Sequence, residues 1–261
     1  MAELNPYQSP ALLQSEPQYQ PVTGPPTFAR VLASCVEVLA NQWLTFVVAA
    51  VVLFLPWEMF LGYIEYYHTT EDDPFLFLFL ISLTPLTVFL LANAMVVAAT
   101  RQQLLREGDG TAGAVLTALK SAPWLFVWVL VSGIAIGIGV LLCAVPGIAL
   151  NILWMYVLPI GVNERQTYVN PLTASSQLTR SHLGYSVVTF LSLGIPMVVI
   201  VMTPSLVLEL FYPEFDSWLA NVFIGVFEDL VPLVVTCAFA CAYHHLRQAQ
   251  AEQGSPPVAK T

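Results

Sequence analysis

Long apolar stretches alternate along this chain with short polar segments. The longest uninterrupted stretch runs from 121 to 163, where 43 residues include no Asp, Glu, Lys or Arg. A single helix of that length would extend about 64 Å, roughly twice the ~30 Å hydrocarbon core of a bilayer. The pattern therefore predicts two membrane-spanning helices folded back on each other, with Pro146, Gly147 and Ile148 at the tip of the hairpin.

Charged residues and Pro/Gly positions delimit six apolar stretches in all. They cover 43–63, 75–99, 123–144, 147–163, 185–208 and 219–243. Each one approaches or exceeds the ~17–25 residues that a helix needs to cross a membrane. The sequence thus predicts an all-α integral membrane protein whose six transmembrane helices form three hairpins within 27–247. The polar, Pro- and Gln-containing ends, 1–26 and 248–261, are predicted to be disordered tails.

Three short segments, beginning at Thr27, Thr111 and Asn170, place apolar residues on one helical face and polar residues on the other. Thr or Asn before such a face is a helix-start signal, and Pro171 suits the first helical position. Each segment is too short to span, so each is predicted to lie in the membrane interface, the third ending near Gly184. The chain would then contain three copies of an interfacial helix plus two spans. The alternative is that any amphipathic linker would show a similar face.

Composition and charge agree with a membrane protein and indicate its orientation. The chain is 57% hydrophobic and only 10% charged, whereas soluble domains carry about 25% charged residues. All eight basic residues fall on one side of the predicted topology: Arg30, Arg101, Arg106, Lys120, Arg165, Arg180, Arg247 and Lys260. The charged residues on the other side are all acidic. The positive-inside rule therefore predicts cytoplasmic termini in an inner membrane. The net charge of −9 argues against nucleic acid as a partner.

Two segments carry a resemblance to a known family. The first contains Pro146, Gly147 and Ile148, an aromatic span with Trp154 and Tyr156, then Pro159, Glu164 and a helix of small residues with Ala174, Ser175, Ser176, Leu178 and Thr179. The second is the ending Ala242-Tyr243-His244-His245-Leu246-Arg247. Together they resemble the uncharacterised bacterial polytopic family that includes the membrane domain fused to some glycerophosphoryl diester phosphodiesterases. The resemblance implies a six-helix inner-membrane protein, and no phosphodiesterase activity, because the catalytic domain is absent here.

A polar stripe on the sixth predicted span offers the sharpest candidate site. Asn221, Glu228, Asp229 and Thr236 recur there at helical spacing, together with Gly225 and Pro232. Carboxylates near the bilayer centre cost about 2.5–3.5 kcal/mol each on insertion scales, so such residues commonly line a cavity or an ion path. Alternatively, the two acids lie in water at the outer interface, where Glu58 is also predicted.

No other group in the sequence predicts a reaction. Cys237, Cys241 and His244 or His245 share a helix face, but a single helix supplies only part of a metal coordination shell, and buried Cys is common in apolar helices. We therefore predict no metal, no cofactor and no enzyme activity. The favoured function is an organising or accessory membrane protein that contacts lipid and, through its tails or interfacial helices, a protein partner. The alternative is a small transporter or lipid-handling protein that uses the acidic stripe; the oligomeric state stays open.

Overall fold

A computed structural model describes residues 27–67, 75–107, 110–164, 169–211 and 218–252. These residues form helices and contain no strand. The helices are α1 (Phe28–Asn41), α2 (Trp43–Val48), α3 (Leu55–Tyr67), α4 (Phe75–Leu105), α5 (Gly110–Leu142), α6 (Ala144–Trp154), α7 (Val157–Asn163), α8 (Pro171–Ser181), α9 (Leu183–Phe211) and α10 (Trp218–Glu252). A π-helical segment, Ala49–Phe54, joins α2 to α3. The predicted tail 1–26, and 253–261 of the predicted tail 248–261, lie outside the described residues.

Six helices within the described ranges are long and apolar enough to cross a membrane, as predicted. They cover Trp43–Tyr63, Thr84–Leu105, Gly110–Leu142, Ala144–Asn163, Leu183–Pro204 and Trp218–Ala251. The fourth consists of α6 and α7 in succession, interrupted at Met155 and Tyr156. The all-α fold with six potential membrane helices is therefore confirmed at this level.

The core lies around α4 and α10. Val31 and Val38 of α1, Leu178 of α8, and Leu233 and Tyr243 of α10 are almost completely buried in one cluster. By contrast, α5 and α9 expose long apolar faces, including Ile134, Ile138, Val198, Val199 and Met202. Such faces are expected where a helix meets acyl chains rather than protein.

The predicted hairpin tip is displaced in the structure. Helix α5 ends at Leu142, Cys143 alone connects it to α6, and Pro146, Gly147 and Ile148 all lie inside α6. Pro146 is tolerated there because the first turn of a helix has no intrahelical acceptor for its N–H. Gly147 instead permits close packing of α6 on α5, since a Cβ atom at this position would lie 2.8 Å from the backbone nitrogen of Val140.

Two of the three predicted short helices are separate elements, and one is not. Helices α1 and α8 end before the spans that follow them, and the Asn170 side chain caps α8 by accepting hydrogen bonds from the backbone N–H groups of Leu172 and Thr173. The segment beginning at Thr111 is instead the first part of the 33-residue helix α5. The separate-helix prediction was wrong there, because 114–122 contain no Gly or Pro that would end the helix, and a proline such as Pro123 is tolerated within a packed membrane helix.

Two predicted boundaries also change. Helix α8 ends at Ser181 with His182 following, so Gly184 lies inside α9 rather than at the end of the third short helix. Helix α10 continues to Glu252 and so includes 248–252, the first five residues of the predicted C-terminal tail. Gln248 and Ala249 are buried, and this burial explains why the helix continues.

Several basic residues meet at one end of the bundle, which we call the basic end: Arg30, Arg101, Arg180 and Arg247. Arg30 lies close to His245, and Arg101 lies close to His244. Ser34 of α1 is hydrogen-bonded to His245 over 3.0 Å. Gln250 donates a hydrogen bond to Ser181, which follows Arg180. These contacts group the four basic residues around the C-terminal part of α10.

Candidate functional site

Helix α10 carries two carboxylate sites, one in each half of the bundle. The first is a pocket of about 420 Å³ between α3, α4 and α10. We call it the outer pocket. It is lined by Phe54, Trp57, Glu58, Leu61, Pro85, Leu86, Val88, Phe89 and Asp229. Its lining is thus apolar and aromatic apart from two carboxyl groups, which is the usual chemistry of a small-molecule pocket.

The two carboxyl groups of the outer pocket contact each other across the helix interface. The side chain of Asp229 is hydrogen-bonded to that of Glu58. Glu58 also lies directly against α10 at Gly225, where an added Cβ atom would overlap its carboxyl group. Glu58 and Asp229 therefore form a pair of carboxyl groups shared between α3 and α10. Gly225 therefore makes the pairing of α3 with α10 possible.

Each helix that lines the outer pocket is irregular beside it. The π-helical segment Ala49–Phe54 and Pro56 precede Glu58, Pro85 lines the pocket from α4, and Pro232 follows Asp229 by three residues. A proline inside a helix cannot donate to the carbonyl group four residues earlier, and π-helical segments are frequent at functional sites. Pro232 thus leaves the carbonyl oxygen of Glu228, next to Asp229 in the chain, without its helical donor.

The outer pocket lies far from the basic end. Asp229 precedes Arg247 by 18 residues, or about 27 Å along the helix axis. Glu58 follows Trp43 by 15 residues, or about 22 Å. Against a hydrocarbon thickness of ~30 Å, both carboxyl groups belong to the half of the bundle remote from the basic residues, well inside the helices rather than beyond their ends.

The predicted polar stripe does not act as one surface. Asn221 is exposed, Glu228 lies outside the lining of the outer pocket, and only Asp229 faces it. Thr236 donates a hydrogen bond to Asn93 of α4, whose side-chain nitrogen donates to the carbonyl of Phe89 over 2.7 Å. The partner that the sequence did not reveal is Glu58. A contact between α3 and α10 leaves no trace in the spacing of either helix, so the sequence could not pair Glu58 with Asp229; the position of Glu58 at the outer interface stays a prediction.

The second carboxylate site lies at the basic end and brings together the two segments that carry the family resemblance. Glu164, just after α7, accepts a hydrogen bond of 2.6 Å from the hydroxyl of Tyr243 and an ion-pair contact from Arg247. The guanidinium of Arg247 also lies over the Tyr243 ring, 5.7 Å from its centroid. This carboxylate is compensated by both a cation and a hydroxyl, which is the usual condition for a buried charge in a fold.

Side chains of helix α8 make hydrogen bonds to backbone groups at the break in the fourth span. Ser175 donates to the carbonyl of Leu153 over 2.9 Å and accepts from the backbone N–H of Tyr156 over 3.2 Å. Thr179 donates to the same carbonyl over 3.3 Å. Pro159, which cannot donate to the carbonyl of Met155, lies in the first turn of α7, just after the break. The small polar residues of the family-like segment therefore replace the missing backbone hydrogen bonds.

Three of the four cysteines, Cys35, Cys237 and Cys241, are buried together in the core, whereas Cys143 is exposed. Thr100 donates a hydrogen bond of 3.6 Å to the sulfur of Cys237, and the Cys35 thiol donates to the carbonyl of Val234 over 3.8 Å. The contact with Cys237 and burial raise the pKa of Cys35, so its thiol stays neutral at physiological pH. Within the described ranges, no three His, Cys, Asp or Glu side chains converge with the geometry of a metal site.

Comparison with known proteins returned no match to a protein family, to a curated protein or to a solved structure.

Proposed function

We propose that this chain is a multi-pass inner-membrane protein that organises lipid or a protein partner on its cytoplasmic face and acts without catalysis. The basic end is the cytoplasmic side, which agrees with the positive-inside rule. Helix α1 lies in the cytoplasmic leaflet, and α8 presents its polar face to water.

The two faces of α1 carry this proposal. One face, with Val31, Cys35 and Val38, is fully buried against the bundle. Yet Leu32 and Val36 on another face are 40% and 64% exposed. The exposed apolar positions continue into the first span through Trp43, Leu44 and Val47. A helix that buries one apolar face in protein and leaves a second open beside a lipid-facing span fits the interface of a bilayer.

Helix α8 differs and provides the surface for a protein partner. Its inward-facing residues are hydrogen-bonded to the backbone of the fourth span. The exposed residues are Asn170, Thr173, Gln177 and Arg180. An outward face of this kind gains nothing from lipid chains. The two short helices thus have separate roles, α1 toward lipid and α8 toward the cytosol.

Fluorescence quenching tests the position of α1. The thiol-reactive probe bimane is attached at position 36 or 37 of a cysteine-free full chain, which is reconstituted with lipids brominated near the headgroup. We expect strong quenching for the V36C variant and weak quenching for E37C, which faces away. Equal, weak quenching at both positions would contradict an interfacial α1. In cells, the double variant L32E/V36E is expected to disturb localisation or partner crosslinking, whereas E37Q is not.

A second candidate function, transport or lipid handling, is favoured by one observation. The outer pocket joins the carboxyl groups of Glu58 and Asp229 inside the bundle, on helices whose regular hydrogen bonding is broken. Irregular helices near a binding site are a recurring feature of secondary transporters. Flux of a candidate substrate into vesicles that is abolished in Asp229→Asn would support this function, and unchanged flux would exclude a role for the pocket in it.

A further inference from the structure

We propose that the outer pocket binds an organic ammonium group, held between the Glu58–Asp229 carboxyl pair and the aromatic rings beside it. This inference rests on the second candidate function only in its location. Binding and flux are separate measurements, so a pocket that binds without transporting would support the site and reject the transport function.

The size of the pocket indicates an organic ligand rather than a bare metal ion. Its volume of about 420 Å³ falls in the usual range of small-molecule sites. A hard divalent cation instead requires six or more oxygen ligands at 2.0–2.6 Å. Most of the residues that line this pocket are apolar, and the two carboxyl groups are its only ionisable side chains. The lining therefore suits a ligand with one charged group and an apolar body.

The charge of the pocket indicates a cation. Both ionisable side chains of its lining are carboxyl groups, and every Lys and Arg of the chain lies outside the stretches 43–63, 75–99 and 219–243 that build this region. An incoming ammonium would thus meet acidic groups and no cationic side chain in the pocket lining.

The aromatic residues distinguish an ammonium from other monocations. Phe54, Trp57 and Phe89 line the same pocket as the carboxyl pair. The faces of aromatic rings attract cations, and aromatic cages recognise quaternary ammonium groups, which are too weakly hydrated to prefer water. An alkali ion would gain less from these rings, because it would lose a tightly held hydration shell on entry.

The experiment measures binding of radiolabelled benzyltrimethylammonium to the full chain in nanodiscs. We expect saturable binding that choline weakens and that neither benzyl alcohol nor millimolar Na⁺ or Ca²⁺ displaces. Glu58→Gln and Asp229→Asn should each lower the affinity at least tenfold. Glu228→Gln, the adjacent acid outside the pocket lining, should change it less than threefold. Trp57→Leu should weaken binding about three- to tenfold by removing one aromatic face, with the charge retained.

Three results would overturn the proposal. They are no saturable binding to the wild type, retention of binding in both carboxyl variants, and displacement by Ca²⁺ at micromolar concentration. Size-exclusion profiles and melting curves of every variant separate loss of the site from loss of the fold, and the Trp57→Leu arm tests the pocket with both carboxyl groups intact. The lipid composition of the nanodisc then identifies the source of the ammonium. Weaker probe binding with phosphatidylethanolamine than with phosphatidylglycerol alone indicates a lipid headgroup, and equal binding indicates a free amine.

Discussion

Helix α10 takes part in two carboxylate sites whose surroundings are opposite. At the basic end, Glu164 is bound by the hydroxyl of Tyr243 and the guanidinium of Arg247. In the outer pocket, Glu58 and Asp229 share a hydrogen bond with each other beside an open volume. A compensated carboxylate stabilises a fold, whereas a carboxyl pair beside a pocket is retained at a cost to stability. The comparison thus sets a carboxylate that holds helices together against the carboxyl pair for which we propose a ligand.

The largest effect is expected from breaking the compensated site. Arg247→Met leaves Glu164, a partly buried carboxylate, without its cation, and the free energy of unfolding should fall by about 2–4 kcal/mol. Thermal unfolding of the full chain in detergent measures the change. The double variant Glu164→Leu/Arg247→Met should recover much of the loss, because no charge is then left buried. A double variant less stable than the sum of its parts would refute this account of the basic end.

Removing the hydrogen bonds that α8 makes to the break in the fourth span should give the next largest effect. Ser175→Ala removes a hydroxyl that donates to the carbonyl of Leu153 and accepts from the N–H of Tyr156. We therefore expect the free energy of unfolding to fall by about 1–3 kcal/mol. Thr173→Ala, at an exposed position of the same helix, is the matched control and should change stability by less than about 0.5 kcal/mol. Equal melting curves for the two variants would show that Ser175 does not support the break in the fourth span.

A glycine substitution should separate stability from binding in the outer pocket. Gly225→Ala places a Cβ atom where the Glu58 carboxyl group lies, so the carboxyl pair should separate and benzyltrimethylammonium binding should be lost. The unfolding free energy should change by less than about 1 kcal/mol, because Ala favours the helix and offsets part of the clash. Gly137→Ala on α5, where the added atom meets nothing within 4 Å, is the control that should keep binding. Intact binding in Gly225→Ala would contradict the described position of Glu58.

The smallest effect concerns pH at the basic end. Burial lowers the pKa of His182, between α8 and α9. The unfolded chain then takes up this proton before the folded chain does, so stability falls as the pH drops below the ordinary histidine value of about 6.5. We expect a modest decrease in melting temperature between pH 7.5 and 5.5, reduced in His182→Gln. A steeper decrease in the variant than in the wild type would reverse the sign of this contribution.

Local sequence signals predicted most of the helices but few of their contacts. The six apolar stretches predicted the six long helices, and Asn170 followed by Pro171 predicted the start of α8. Both predictions were possible because length, hydropathy and capping are properties of neighbouring residues. The prediction that Gly147 lies at a hairpin tip was wrong. Pro-Gly commonly marks a turn, and only the position of Val140 in the fold shows that Gly147 lets α6 pack closely on α5. Glu164, Tyr243 and Arg247 were recognised as parts of two separate segments, and only the fold joins them. Glu58 and Asp229 are 171 positions apart, so no spacing rule could pair them.

Paired melting curves of Glu164→Gln and Asp229→Asn test the central contrast most directly. Both replacements are isosteric and each removes one carboxylate from the full chain under the same conditions. In Glu164→Gln the free energy of unfolding should fall by about 1–3 kcal/mol, because Arg247 is left without its anion. Asp229→Asn should leave the melting temperature unchanged or raise it, because it relieves a buried carboxyl pair. A large loss of stability in Asp229→Asn, with little change in Glu164→Gln, would contradict the assignment of one site to the fold and the other to a ligand.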